Sequence, residues 1–135
     1  MRYLLDTHIL LWALTGDAKL PERAKDVLYN PDNKIYYSII SIWEAAIKRL
    51  KHPDKITKLA PDELIYFCTD ADFHCLTLRP KHIYTLETLS RPDDAPPHKD
   101  PFDRILISQA KSENMLFLTH DDSLTSYSEP CIIYA

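Results

Sequence analysis

Short apolar runs alternate along the chain with longer segments in which apolar residues recur every three or four positions. The short runs predict buried strands, and the periodic segments predict amphipathic helices. The strands are expected at Tyr3–Leu5, Ile35–Tyr37, His74–Leu78, Met115–Leu118 and Cys131–Tyr134. The helices are expected near His8–Leu14, Pro21–Asn30, Ser41–Leu50, Pro61–Asp72, Pro80–Ser90 and Asp100–Ser112, with a helical turn at Asp122–Tyr127. Because helices separate the strands, we expect a three-layer α/β/α fold with a central, mainly parallel sheet.

The chain is short enough to form one domain and long enough to bury a core. It has 135 residues, 45% of them hydrophobic, and no internal repeat or linker divides it. We therefore expect a single domain over residues 1–135. The one glycine, Gly16, excludes the glycine-rich loops that bind phosphates in many nucleotide-dependent enzymes. Three cysteines without C-x-x-C spacing indicate neither a disulfide framework nor a zinc site.

The N-terminal apolar run does not have the form of an export signal. Asp6 and His8 interrupt the stretch between Arg2 and Leu14, whereas the hydrophobic part of a signal peptide is continuous. No segment approaches the ~20 apolar residues that span a bilayer. We therefore expect a cytoplasmic protein.

The net charge of −4 argues at first against a nucleic-acid ligand, because phosphate-binding proteins usually carry a basic face. The objection weakens if several acids converge on divalent cations, which offset negative charge locally. Residues 48–58 also concentrate basic side chains against one acid, Asp54. These basic residues are Lys48, Arg49, Lys51, Lys55 and Lys58. The segment is either solvated surface or a phosphate-binding patch, and the sequence leaves both possibilities open.

Four acids are expected at one edge of the predicted sheet. Asp6 directly follows the first strand, and Asp121 follows the strand that ends at Leu118. The carboxyl ends of parallel strands meet at the same edge, where ligands gather in open α/β sheets. Glu44 and Asp103 lie in the first turns of two predicted helices, whose beginnings also face that edge.

Helix capping is the alternative explanation for each of these acids. Ser41 and Glu44 have the S-x-x-E spacing of a capping box. Asp100 and Asp103 flank a Pro-Phe pair, which gives an N-cap acid, proline at the first helical position and an acid at the third. The other two acids could cap the helical segments that follow them.

The joint pattern favours chemistry over capping. Four carboxylates at one edge would repel one another unless a cation held them, and hard oxygen ligands select Mg²⁺ or Mn²⁺. A site made of acids alone suits zinc poorly. It suits phosphodiester hydrolysis, in which metal ions activate a water and stabilise the leaving oxygen.

Four sequence blocks resemble, in order, the motif blocks of the PIN-domain family. They are Tyr3–His8, Ser41–Lys48, His98–Arg104 and Leu118–Asp121. The similarity covers essentially the whole chain and is greatest to the VapC-like toxins of bacterial type II toxin–antitoxin pairs. It implies an endoribonuclease that depends on Mg²⁺ or Mn²⁺ and cleaves RNA. It also implies a homodimer that is silenced by a small antitoxin protein.

The resemblance assigns roles to particular residues. The family's catalytic and metal-binding acids match Asp6, Glu44, Asp103 and Asp121. Asp103 matches better than Asp100, which is then an N-cap or the second choice as a ligand. Thr7 and Thr119 match the hydroxyl-bearing neighbours of the acids, and Arg104 is the basic residue expected to meet a phosphate.

Histidine and tryptophan side chains near the motifs have less specific explanations. His8, His98 and His120 neighbour motif acids, but a metal-activated water needs no imidazole base, so we expect polar loop residues or supporting contacts. Trp12 and Trp43 lie on apolar helix faces and are expected in the core, although an exposed Trp43 could stack on a base.

Two other functions remain possible from the sequence. A catalytically silent PIN-like module could bind RNA or protein, although such a module would be expected to have lost an acid. A phosphatase or a phospho-acceptor receiver domain could also use an acidic site. A receiver needs paired acids after its first strand, and Asp6-Thr7-His8 supplies only one.

Overall fold

The computed structural model describes residues 1–135 and contains five strands and six helices, with a short 3-10 helix at Asp122–Ser126. The strands are β1 (Arg2–Leu5), β2 (Lys34–Ser38), β3 (His74–Leu76), β4 (Leu116–Thr119) and β5 (Ile132–Tyr134). The helices are α1 (Thr7–Thr15), α2 (Glu22–Tyr29), α3 (Ile39–Lys51), α4 (Pro61–Asp70), α5 (Pro80–Leu86) and α6 (Pro101–Glu113). None of the helices is both long and apolar enough to cross a membrane.

The strands form one parallel sheet in the order β3-β2-β1-β4-β5. β1 is therefore the central strand, and Leu4 and Leu5 have no exposed surface. A strand that is covered on both faces is apolar at successive positions, which is why Tyr3–Leu5 was identifiable as an uninterrupted run. The edge strand β3 ends at Leu76, earlier than predicted, and Leu78 beyond it is 43% exposed.

Two apolar clusters cover opposite faces of this sheet. Leu5 belongs to the cluster that includes side chains of α1, α2, α3 and α4. Leu4 belongs to the other cluster, together with Leu106 and Ile107 of α6. Because successive side chains of a strand point to opposite faces, β1 contributes to both clusters. The predicted three-layer α/β/α fold with a parallel sheet is confirmed.

The beginning of α3 differs from the prediction. Its N-cap is Ser38, whose hydroxyl accepts the backbone N–H of Ile40 at 3.0 Å. Ser41 therefore lies inside the helix, which rules out a capping box with Ser41 as the alternative explanation for Glu44. The physical reason is that β2 passes directly into α3, so the first free N–H groups of the helix occur before Ser41.

The beginning of α6 agrees with the prediction. Asp100 is its N-cap, and Oδ1 of Asp100 accepts the backbone N–H groups of Phe102 at 2.9 Å and Asp103 at 3.3 Å. Pro101 occupies the first helical position, where its missing N–H has no cost.

Candidate active site

Acidic side chains from four separate parts of the chain line one cavity of about 320 Å³, here called the acidic cavity. All four predicted acids are among its lining residues. The lining consists of Asp6, His8, Trp12, Glu44, Lys48, Asp100, Asp103, His120 and Asp121. The structure thus brings together the predicted quartet, adds Asp100 to it, and places one lysine among five carboxylates.

Parallel pairing brings the two strand-end acids to the same edge. Leu5 of β1 is level with Leu118 of β4, and the N–H of Asp6 donates to the carbonyl oxygen of Leu118 at 2.9 Å. Asp121 is the second residue after β4 on that edge. Glu44 comes from α3, which starts directly after the neighbouring strand β2. The site therefore forms where β1 and its two neighbours end, as expected for an open parallel sheet.

Asp6 is buried, with 5% of its surface exposed, and hydrogen bonds hold both of its carboxylate oxygens. Oδ1 accepts the backbone N–H of Thr7 at 2.7 Å, which caps α1. Oδ2 accepts the hydroxyl of Thr119 at 2.6 Å. Burial raises the pKa of Asp6 to about 6, although these two hydrogen bonds act in the opposite direction.

Glu44 is also buried, and its two oxygens have different partners. Oε1 accepts the hydroxyl of Thr7 at 2.7 Å, and Oε2 accepts Nζ of Lys48 one helical turn later. The hydroxyls of Thr7 and Thr119 therefore orient one carboxylate each.

Asp121 occupies a more open part of the cavity than the other strand-end acid, Asp6. Asp121 is exposed and caps the 3-10 helix through Oδ1, which accepts the N–H of Ser123 at 3.0 Å and its hydroxyl at 2.7 Å. Oδ2 has no protein partner. The capping alternative thus holds for Asp121 as well as for Asp6, and it leaves a carboxylate oxygen of Asp121 available to a ligand.

The donor chemistry of the acidic cavity fits a hard divalent cation. Five carboxylates and no thiolate line it, and carboxylate oxygens are the ligands that Mg²⁺ and Mn²⁺ prefer. Burial, followed by the charges of Asp6, Asp100 and the other acids, raises the pKa of Asp103 to about 8. A cation would oppose this repulsion and favour the ionised carboxylates. No three His, Cys, Asp or Glu side chains are already arranged around one ion position.

A hydrogen-bonded chain that the sequence did not reveal supports Asp103. Nε2 of His98 lies 3.2 Å from Oδ2 of Asp103, and Nδ1 lies 2.7 Å from the hydroxyl of Tyr127. Burial, followed by the charge of Arg91, lowers the pKa of His98, so its neutral form can donate from Nε2 and accept at Nδ1. Arg104 donates to the Tyr127 hydroxyl at 3.1 Å and does not line the acidic cavity.

Aromatic rings form one side of the cavity. Trp12 lies 5.7 Å from the rings of both His8 and His120, and His120 stacks on Tyr134 at 5.5 Å. Trp12 packs against the core as predicted, but it also reaches the site. The expectation that Trp43 is in the core is wrong, because it is 57% exposed. The buried side of α3 is formed by its neighbours in sequence, so this ring points outward.

Comparisons with known proteins identify both the family and the fold. The sequence profile of the PIN domain matches residues 3–130. The fold is similar to that of VapBC2 from Rickettsia felis, whose crystal structure was solved with a DNA fragment from the VapBC2 promoter. The sequence identity is 20% and the TM-score is 0.69, and the match covers 100% of this chain and 98% of that chain.

Two further solved structures have a similar fold. A toxin–antitoxin complex from Klebsiella pneumoniae is 17% identical, with a TM-score of 0.58 and coverage of 97% of this chain and 95% of that chain. VapBC-1 from nontypeable Haemophilus influenzae is 17% identical, with a TM-score of 0.59 and coverage of 93% of each chain. No curated protein sequence matches this chain.

Proposed function

This chain belongs to the PIN-domain family, and on that premise we propose that it is a divalent-metal-dependent endoribonuclease. The observation that carries the proposal is the convergence of five carboxylates on one cavity at the carboxyl edge of the sheet. Such a concentration of like charge, partly buried, is costly to the fold and is typical of a site that binds cations.

We assign the binding of Mg²⁺ or Mn²⁺ to Asp6, Asp103 and Asp121, with Asp100 as the second choice for a ligand. Glu44 is a ligand or orients the attacking water. A bound divalent cation supplies the Lewis acidity that phosphodiester hydrolysis needs. Receiver and phosphatase chemistry is less well supported, because it would not need acids from four separate segments.

The residues around the acids prepare the site for this role. The hydroxyl of Thr119 and the N–H of Thr7 fix the orientation of Asp6. The hydroxyl of Thr7 also fixes Glu44, so one threonine aligns two of the acids. Lys48 places a positive charge beside Glu44, where it can approach an RNA phosphate that enters the cavity.

We further propose that the chain is the toxin of a type II toxin–antitoxin pair and acts in the cytoplasm. The similarity in fold to VapBC and other toxin–antitoxin complexes supports this. The proposal includes a cognate antitoxin that covers the acidic cavity and a homodimer of this chain. Exposed apolar side chains on α3 and α4, among them Trp43, Leu50 and Tyr66, offer surfaces for such contacts.

The decisive experiment is RNA cleavage by wild-type protein and Asp6→Asn in the presence of Mg²⁺, Mn²⁺ or EDTA. Asp6→Asn should lose at least about a hundredfold in rate, because it removes a charged ligand. Asp26→Asn is the matched control, since Asp26 is an exposed acid of α2 outside the cavity. A cleavage rate that is independent of metal ions, or an Asp6→Asn protein with full metal-dependent activity, would refute the proposal.

A further inference from the structure

A second cavity of about 550 Å³ adjoins the acidic cavity, and we call it the lysine groove. It lies between α1 and the segment 53–59, which connects α3 to α4. His8 and Trp12 line both cavities, so the two are continuous at that point. An extended ligand held at the acids therefore has a path into the groove.

Three lysines give the groove its positive charge. Lys19, Lys55 and Lys58 line it and are exposed, and none of them has a carboxylate within 4.0 Å. Two acids, Asp17 and Asp54, also belong to the lining, and Oδ1 of Asp17 accepts the N–H of Lys19 at 2.9 Å. The lysine ammonium groups thus remain available to an anionic ligand.

The lysines come from two parts of the chain that the sequence did not connect. Lys55 and Lys58 belong to the basic segment 48–58, but Lys19 follows α1. Lys48 of the same segment is instead paired with Glu44 in the acidic cavity. The fold therefore divides the basic segment between two sites and completes one of them with a distant lysine.

Aromatic rings stand where the groove meets the acidic cavity. His8 and His120 are exposed on either side of the partly buried Trp12. The ring of His120 is supported from behind by Tyr134, which stacks on it with an angle of 15° between the planes. Ring faces held in this way are a suitable surface for an unstacked base.

We propose that the lysine groove binds unpaired RNA nucleotides on one side of the phosphate held at the acids. Lys19, Lys55 and Lys58 contact the backbone phosphates, and the rings of His8, Trp12 and His120 stack with a base. This inference rests on the proposed nuclease function and assigns the path that the RNA takes outside the acidic cavity.

The combination of lysines and aromatic rings favours RNA over a peptide. An acidic peptide could pair with the lysines, but its carboxylate side chains offer no flat ring face to the aromatic side chains at the end of the groove. A nucleotide chain satisfies both parts, because its phosphates pair with the lysines and a base can stack on the rings. A paired base cannot turn its face to the aromatic rings, so a duplex would use the lysines alone.

The test is the binding of a fluorescein-labelled ten-nucleotide single-stranded RNA, measured by anisotropy in EDTA so that metal-dependent cleavage is stopped. The groove variant K19A/K55A/K58A is compared with R23A/K34A/K51A, which removes the same charge from exposed residues outside both cavities. We expect the groove variant to bind about tenfold more weakly or worse, with a salt dependence shallower by about two ions. The control should stay close to wild type.

A comparison of the wild type with the variant H8A/H120A tests the aromatic contact. H8A/H120A should weaken the single-stranded RNA by about fivefold or more per stacked base and leave the affinity for a ten-base-pair RNA duplex unchanged. An equal effect on both RNAs would overturn the assignment of the rings to an unpaired base. Circular dichroism of each variant establishes that it is folded.

The remaining outcomes separate this inference from the proposed function. Equal RNA binding by the groove and control variants overturns the groove, even if cleavage still requires Asp6. Loss of binding in the groove variant supports the groove, even if no RNA is cleaved. Retained RNA binding together with loss of affinity for a deca-glutamate peptide would assign the groove to an acidic protein segment and would overturn the proposal.

Discussion

Asp103→Asn should stabilise the protein at neutral pH in the absence of metal ions while it removes nuclease activity. Burial is the main reason that the pKa of Asp103 is raised from 3.8 to about 8, and the charges of Asp6, Asp100, Glu44 and Asp121 add to it. In the unfolded chain the same carboxyl group is free of these influences. Asparagine has a similar shape, can still accept from His98, and carries no charge at any pH.

The magnitude follows from the proton that folding takes up. At pH 7 the carboxyl group is ionised in the unfolded chain and largely protonated in the folded one. Because the folded-state pKa is the higher one, the free energy of unfolding is greatest below about pH 4. It then falls progressively as the pH rises, until the folded-state carboxyl group is also ionised above about pH 8. For one isolated group this loss is about 4 kcal/mol at pH 7. The five acids share their interactions, so we expect Asp103→Asn to gain about 2 kcal/mol.

Urea unfolding followed by far-UV circular dichroism, in EDTA at pH 4, 5.5 and 7.5, measures this gain. The difference between Asp103→Asn and wild type should grow with pH and be near zero at pH 4. Asp26→Asn, on an exposed part of α2, should show no such trend. Addition of Mg²⁺ should then stabilise the wild type more than Asp103→Asn, because a ligand bound only by the folded state raises its stability. A wild type more stable than Asp103→Asn at pH 7.5 in EDTA would refute the reasoning.

Two further predictions concern residues that orient the acids. Thr119→Val deprives the buried Oδ2 of Asp6 of its hydrogen bond, so it should lower the free energy of unfolding in urea by about 1–3 kcal/mol. The control Thr125→Val, on the exposed 3-10 helix, should lower it much less. His98→Ala should weaken Mn²⁺ binding about tenfold in calorimetry, because loss of a group that hydrogen-bonds to a metal ligand has an effect of this size. An unchanged Mn²⁺ affinity in His98→Ala would show that the hydrogen bond from His98 does not help Asp103 to bind the metal.

The order of strands and helices was predictable because it depends on local features of the sequence. The inner strands β1 and β4 are covered on both faces and need apolar residues at successive positions, so they were visible as runs. The edge strands β3 and β5 are more exposed and were recognised as short segments next to predicted helices. Asp100 followed by Pro101 fixed the start of α6 in the same way, since an N-cap acts on N–H groups two and three residues away. The start of α3 was missed because Ser38 and Ser41 are both suitable caps, and only the end of β2 chooses between them.

The convergence of four acids on one cavity could be predicted from the sequence, because parallel strands end at the same edge of a sheet and the motif blocks contain the same four acids. The hydrogen bonds that orient them were only partly found. Thr7 and Thr119 lie within two residues of motif acids in the sequence, whereas Tyr127 is 24 residues from Asp103 and no local pattern connects the two. Lys19 joins Lys55 and Lys58 only through the packing of α1 beside the segment 53–59.

The sequence by itself therefore determined the fold class, and it predicted the edge at which chemistry is expected and four of the five acids that meet there. The tertiary structure decided which oxygens are already held, which basic side chains remain available, and which aromatic rings reach the site. The physical reason is the range of the interactions. Apolar periodicity and capping act within a few residues of the chain, whereas a cavity is lined by side chains that meet only after the sheet and its helices have packed.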